Sequence, residues 1–201
     1  MSDFDLTPIE SLAITLFDIG AVQFGKYRLS NGKKTSVYLD LRRLVSYPDA
    51  LRQVAAVYHS FLDRLKLEFD LLTAPPMAGL PIGTALSLEM NRPLIYPRMT
   101  AKSYGDGTGI EGSWTIGQKA VIIDDVITTG NSIILAIAVL KSRGLLISDA
   151  VVLIDREQAG AKMLSAEGYR LHAAMSLNYL LSTLRDQGKI SQKQYRKGTR
   201  S

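Results

Sequence analysis

Four short stretches, FDLLTA at 69–74, PLIYPR at 93–98, KAVIID at 119–124 and DAVVLID at 149–155, are apolar along most of their length rather than at every second residue. A strand of that kind must be covered on both faces, as it is in a parallel sheet sandwiched between helices. The segments between the stretches supply the covering: 48–66, 80–90, 132–144 and 158–167 read as helices. The alternation predicts an α/β fold with a mainly parallel central sheet flanked by helices. In such sheets ligands bind beyond the carboxyl ends of the strands.

Ahead of this alternation, residues 6–19 place apolar groups at helical spacing after Thr7-Pro8, an N-cap followed by a first-turn proline. Two strands are then expected around Ser30-Asn31-Gly32, because Asn-Gly readily adopts the positive φ of a tight turn. At the far end, Arg185, Lys189, Lys193, Arg196, Lys197 and Arg200 face Asp186 alone, so the whole formal net charge of +5 resides in residues 185–201. A tail of that composition reads as a solvated end rather than a nucleic-acid arm.

With 46% hydrophobic and 21% charged residues in 201, the chain has the composition of a globular protein and is expected to form one domain. It contains no apolar run of membrane-spanning length and no charged-then-apolar leader, so a cytoplasmic location is expected. Cysteine is absent, and the two histidines, His59 and His172, are far apart, which excludes disulfides and thiolate chemistry and argues against zinc. Any metal is expected to be a hard cation held through oxygens. Both histidines and Trp114 are read as structural.

Residues 121–132, VIIDDVITTGNS, pose the chemical question. An apolar strand runs into two adjacent aspartates, then into a loop of small hydroxylated residues that opens a helix. Thr128, Thr129, Gly130, Asn131 and Ser132 can present backbone N–H groups, and the helix N-terminus adds about half a positive charge, which together suit a phosphate monoester. Asp124 and Asp125 would repel that phosphate but would accept hydrogen bonds from a vicinal diol. A ribose 5-phosphate satisfies both demands. The bland alternative, aspartates that cap the helix, needs one carboxylate and not two.

The run hydrophobic-hydrophobic-Asp-Asp-Val-hydrophobic-Thr-Thr-Gly resembles the phosphoribosyl pyrophosphate signature of the type I phosphoribosyltransferases. Three other segments resemble the orotate-specific branch: FGKYRLSNGKKTSVYLDLRRLVS its N-terminal hood, RMTAKSYGDGTGIEG its mobile catalytic loop, and LIDREQAG its late strand and loop. The similarity to that branch runs from roughly residue 10 to residue 190. The resemblance implies a hood of about 1–45 with part of the C-terminus, a core of about 46–185 and a tail of 186–201. It implies donor contacts from Met77, Ala78, Arg98, Lys102, Tyr104 and the run Asp124, Asp125, Val126, Ile127, Thr128, Thr129, Gly130, Asn131 and Ser132. Lys102, Arg98 and Asp125 are then the catalytic candidates. Tyr38, Leu39, Thr128 and Arg156 are the orotate contacts, Arg156 clamping the carboxylate in two parallel hydrogen bonds. Magnesium bound through the donor's oxygens, and a homodimer that shares the catalytic loop, are further implications. Nucleic acid and membrane are not expected as partners.

The sequence departs from the family at three positions where lysine is common: Ser30, Ala78 and Met99. Two other readings therefore stay open, a transferase for another base and a non-catalytic donor sensor. Two phosphate-loop matches are set aside. GTGIEG at 107–112 lacks the flanking strand and helix, and GAVQFGKY at 20–27 ends in tyrosine where a hydroxyl for magnesium is required.

Overall fold

The computed structural model describes residues 6–28, 32, 34–98 and 109–200. Helix α1 (Pro8–Asp18) starts on a reciprocal cap in which Thr7 Oγ1 accepts from the Glu10 amide and Glu10 accepts from the Thr7 amide. Its inward face, Leu12, Ala13 and Leu16, is fully buried. Strands β1 (Val22–Arg28) and β2 (Lys34–Leu39) form the expected antiparallel pair, Val22 opposite Leu39, with a bulge between Phe24 and Tyr27. Of the turn residues, Ser30 and Asn31 lie outside the described part. A 3₁₀ turn (Leu41–Ser46) leads into α2 (Pro48–Leu65).

The core then alternates as predicted: β3 (Leu71–Thr73), α3 (Gly79–Met90), β4 (Leu94–Pro97), β5 (Ile110–Glu111), β6 (Ala120–Ile127), α4 (Asn131–Lys141), β7 (Asp149–Asp155), α5 (Gly160–Ala166) and β8 (Arg170–Ser176). The sheet order is β5-β4-β3-β6-β7-β8, parallel throughout except for the short edge strand β5. The central strands β3, β6 and β7 are buried on both faces. Val121 and Ile123 pack with α1, α2 and α3 on one side, while Ala120 and Ile122 pack with α4 on the other, which is why the strand is apolar at consecutive positions. The chain leaves β3 toward one edge and β6 toward the other, so the carboxyl ends of these two neighbours form the crevice of a topological switch point.

Two expectations need correction. Strand β6 does not stop at Asp124 but runs on to Ile127, pairing Val126 and Ile127 with Ile154 and Asp155 of β7, so the acidic pair lies within a strand. The basic tail is not a solvated end. It folds as α6 (Leu177–Asp186) and α7 (Gln192–Gly198), the latter capped reciprocally by Ser191 and Gln194. Arg185 lies 4.3 Å over the Tyr195 ring, Lys189 pairs with Asp18, and Gly198 is buried against Leu181 and Val37. The tail thus docks on the β1–β2 hairpin, and its charges line the outer surface.

His59 sits 3.5 Å from Asp63 and 3.6 Å from Glu89, and His172 sits 2.7 Å from Asp149, so both hold structural pairings. Trp114 packs on the buried cluster under α4. Of residues 107–112, the described 109–112 hold β5 and no helix, and residues 22–27 belong to β1, so neither rejected phosphate loop has the required context there.

Candidate active site

At the switch point, β6 delivers Asp124 and Asp125 side by side. Asp124 is 6% exposed, and its Oδ1 accepts from the Asp125 amide at 3.0 Å. Burial, with the Asp125 charge next to it, pushes the Asp124 carboxyl well above the ordinary aspartate range; the Ser132 hydroxyl pulls the other way. Burial also raises Asp125, opposed by hydrogen bonds and by the positive charge of Arg42. Two poorly solvated carboxylates held side by side near the carboxyl end of β6 can accept hydrogen bonds from hydroxyl donors.

Past Ile127 the chain turns through Thr128 and Thr129 to Gly130, the N-cap of α4, at φ +87°. With Gly130 as N-cap the helix has no side-chain cap among the described residues, which goes against the reading in which the aspartates cap it. Glycine is required at this position twice over: the left-handed φ disfavours a side chain, and a Cβ would approach Leu164 Cδ1 to 2.8 Å. The uncapped amides and the positive helix end therefore stay available to an anion.

The neighbouring strand β3 ends in the Pro75-Pro76-Met77-Ala78 loop, whose Pro76–Met77 peptide is cis, and leads into α3 at Gly79. A Cβ on Gly79 would lie 2.9 Å from Asp124 Oδ1 and 3.0 Å from the Ile123 carbonyl, so this loop is pressed directly against the acidic pair. Met77 is exposed and Ala78 half-buried, as residues that face a ligand would be.

The other wall of the crevice comes from β7 and the hairpin. The Arg156 amide donates to the Ile127 carbonyl at 3.1 Å, which brings the end of β7 next to Thr128. The Arg156 side chain is 5% exposed, and burial lowers its pKa from the ordinary arginine value. It does not pair with Asp155 or Glu157: Asp155 accepts from the Glu157 amide, and Glu157 accepts from the Asn178 amide at the start of α6. Nor is it a free two-pronged fork, which corrects the expectation from sequence. Its Nη2 donates to Thr35 Oγ1 at 3.0 Å and to the Val37 carbonyl at 3.2 Å, both on the hairpin. Its buried Nε has no partner among the described residues.

Tyr38 stacks on Tyr27 at 5.2 Å between centroids, and its hydroxyl accepts from Arg42 Nη2 at 2.9 Å. Arg42 also pairs with Asp40 at 2.6 Å, and its charge is felt at Asp125. Leu39 ends β2 half-buried, beside Asp40. Arg98 stands at the end of β4 and pairs with Glu111 of β5 at 3.1 Å, while its amide donates to the Gly109 carbonyl at 2.8 Å. The two ends of the glycine-rich loop are thereby joined. Lys102, Tyr104 and Met99 lie outside the described residues.

The fold therefore gathers Asp124, Asp125, Met77, Ala78, the 128–132 loop and Arg156 around one crevice. It adds Tyr58, Arg42 and Thr35, which sequence reasoning did not select. Tyr58 is a fully buried tyrosine of α2 whose hydroxyl donates to the Asp124 carbonyl. Arg42 carried one signal, its position two residues past Asp40 at the end of the hood segment; Tyr58 and Thr35 carried none.

A family model described as "Phosphoribosyl transferase domain" matches residues 43–169. The chain is 38% identical over 180 residues to the orotate phosphoribosyltransferase of Pyrobaculum islandicum, covering 89% of this chain and 91% of that one. Among solved structures it is similar to the UMP synthase of Leishmania donovani, with a TM-score of 0.87 at 40% identity, covering 94% of this chain and 40% of that one. It is also similar to the orotate phosphoribosyltransferase of Aeropyrum pernix, with a TM-score of 0.77 at 32% identity, covering 90% and 99%. The chain thus spans nearly the whole of the single-activity relatives and about two fifths of the larger, multi-activity ones.

Proposed function

The chain belongs to the phosphoribosyl transferase family, among its orotate phosphoribosyltransferases, and from that premise we propose how its residues perform the transfer. Phosphoribosyl pyrophosphate gives up pyrophosphate at C1 as a ring nitrogen of orotate attacks, yielding orotidine 5′-monophosphate, a step of pyrimidine biosynthesis. The observation that carries the reading is the Asp124–Asp125 pair beside an uncapped helix N-terminus, with a buried arginine donor on the adjacent strand end.

Asp124 and Asp125 accept the two ribose hydroxyls, and residues 128–132 with the start of α4 hold the 5-phosphate. The amides of the Met77–Gly79 loop face the pyrophosphate. The bond to C1 breaks with positive charge on the sugar and negative charge on the leaving group, so cations at the pyrophosphate stabilise the transition state more than the ground state. Arg98 and Lys102 supply them, the loop of 99–108 closing over the site to exclude water. Arg156 recognises the orotate carboxylate, which ordinary nucleobases lack, while Tyr38 and Leu39 flank the ring.

Among the described residues no cluster of three or more acidic, histidine or cysteine side chains could enclose a metal. Magnesium would be held chiefly by the oxygens of phosphoribosyl pyrophosphate, with Asp124 and Asp125 the nearest carboxylates, and would neutralise leaving-group charge. The same reading has two chains share their sites through the 99–108 loop, in a cytoplasmic enzyme. No helix among the described residues is long and apolar enough to cross a membrane.

The test is the loss of orotate absorbance when phosphoribosyl pyrophosphate and magnesium are added, with Lys102→Ala run in parallel. A magnesium-dependent decrease that collapses in the variant supports the reading. No decrease, with the donor still raising the melting temperature, would leave a donor-binding protein without this activity. Sedimentation of the same sample reads the dimer.

A further inference from the structure

Thr35 Oγ1 is the centre of a buried three-way hydrogen-bond network. It accepts from Arg156 Nη2 at 3.0 Å and from the Val37 amide at 3.1 Å, and it donates to the Val37 carbonyl at 3.0 Å. The same carbonyl accepts from Arg156 Nη2 at 3.2 Å. Nη2 has two hydrogens, and both acceptors within its reach belong to β2. Nε has one hydrogen, is buried, and has no partner among the described residues. A buried cationic donor left unpaired is costly, and with Nη2 fully committed to β2 the unpaired Nε points to an acceptor that arrives with a ligand.

The guanidinium is planar, so fixing Nη2 at two points also fixes the direction of the Nε–H bond. The Val37 carbonyl alone would leave the group free to pivot about one contact. The β-branched threonine, stiff about χ1 and itself held by Val37, removes that freedom.

We propose that Thr35 is a positioning residue for Arg156: its hydroxyl holds Nη2 on the hairpin so that Nε is aimed at the carboxylate of the base, which makes base recognition depend on the placement of the hairpin against the core. This rests on the assignment of orotate as acceptor. Hydrogen bonds to charged groups justify a fall in orotate affinity of about tenfold or more when the hydroxyl is lost. The donor site contains no part of this network and should be spared.

Thr35→Val keeps the shape of the side chain and removes the acceptor; Thr35→Ser keeps the acceptor. The expected result is a KM for orotate raised about tenfold in Thr35→Val, with kcat and the KM for phosphoribosyl pyrophosphate within about twofold, and near-normal values in Thr35→Ser. Melting temperatures of both variants report on folding. An orotate KM unchanged in Thr35→Val, an equal rise in both KM values, or a serine variant that behaves like valine would overturn the proposal while leaving the transferase reading intact. Failure of the unaltered protein to use orotate would overturn both.

Discussion

The hydroxyl of Tyr58, a fully buried side chain of α2, donates to the main-chain carbonyl of Asp124, 66 residues away. The backbone that presents the acidic pair is thus held from beneath the sheet by a residue that touches no solvent. Tyr58→Phe should lower stability by about 1 kcal/mol, the net worth of one buried hydrogen bond. Donor affinity should fall severalfold while orotate affinity stays near normal. Thermal melts and titration calorimetry check both, and an unchanged donor affinity would mean that the rest of the sheet positions Asp124 unaided.

Asp124 and Asp125 both titrate upward on folding, chiefly through burial. The folded state then binds protons more tightly than the unfolded chain, so this pair makes the empty protein less stable as pH rises from the ordinary aspartate range through the raised values. A diol needs ionised carboxylates. Donor binding should therefore release protons and weaken as pH falls through the same window. Calorimetry in buffers of different ionisation enthalpy measures the release. Asp124→Asn should melt higher than the parent at neutral pH and bind the donor about tenfold or more weakly.

Arg42 lowers the Asp125 pKa by its charge. Replacement by glutamine should raise that pKa and move the acid limb of the rate profile, taken as kcat/KM for the donor, to higher pH. A limb that does not move would show that Asp125 is not the group that limits the rate there.

At Gly79 an added Cβ would meet the Asp124 carboxylate and the Ile123 carbonyl, and the latter, being main chain, yields only if β6 moves. Gly79→Ala should destabilise by roughly 1–3 kcal/mol and abolish detectable donor binding. Full donor affinity in this variant would contradict the close approach of the 75–79 loop to the acidic pair.

Removal of residues 189–201 should uncover Leu181 and Val37, both fully buried, at a cost of roughly 1.5–3 kcal/mol for each side chain exposed. Because Val37 accepts from Arg156, orotate binding should weaken as well. The melting temperature and orotate KM of the truncated chain test this; parent-like values for both would return the tail to the role of a solvated appendage.

The part of the candidate site assigned to the donor was legible in the sequence as local structure. Asp124 to Ser132 are contiguous, and a strand, a glycine at positive φ and a helix start suffice to build it from turn chemistry and the helix dipole. The Thr7–Glu10 cap and the doubly apolar strands were readable for the same reason. The acceptor half was not, because Arg156 meets Thr35 across 121 residues, and nothing near either residue says which nitrogen will be held and which left unpaired.

The tail shows the limit from the other side. Its composition is that of a solvated segment, in which, among the described residues, Ile190, Tyr195 and Gly198 are the groups that pack on the core. Whether so few groups suffice depends on the surface they meet. A cap at Ser191, an arginine over Tyr195 and a close fit of Gly198 between Leu181 and Val37 supply that surface. Local chemistry determined the strand, turn and helix start that set Asp124 and Asp125 beside the N-terminus of α4. The packing of the hairpin and tail against the core decided how its buried arginine is presented, because that geometry exists only once distant segments exclude water together.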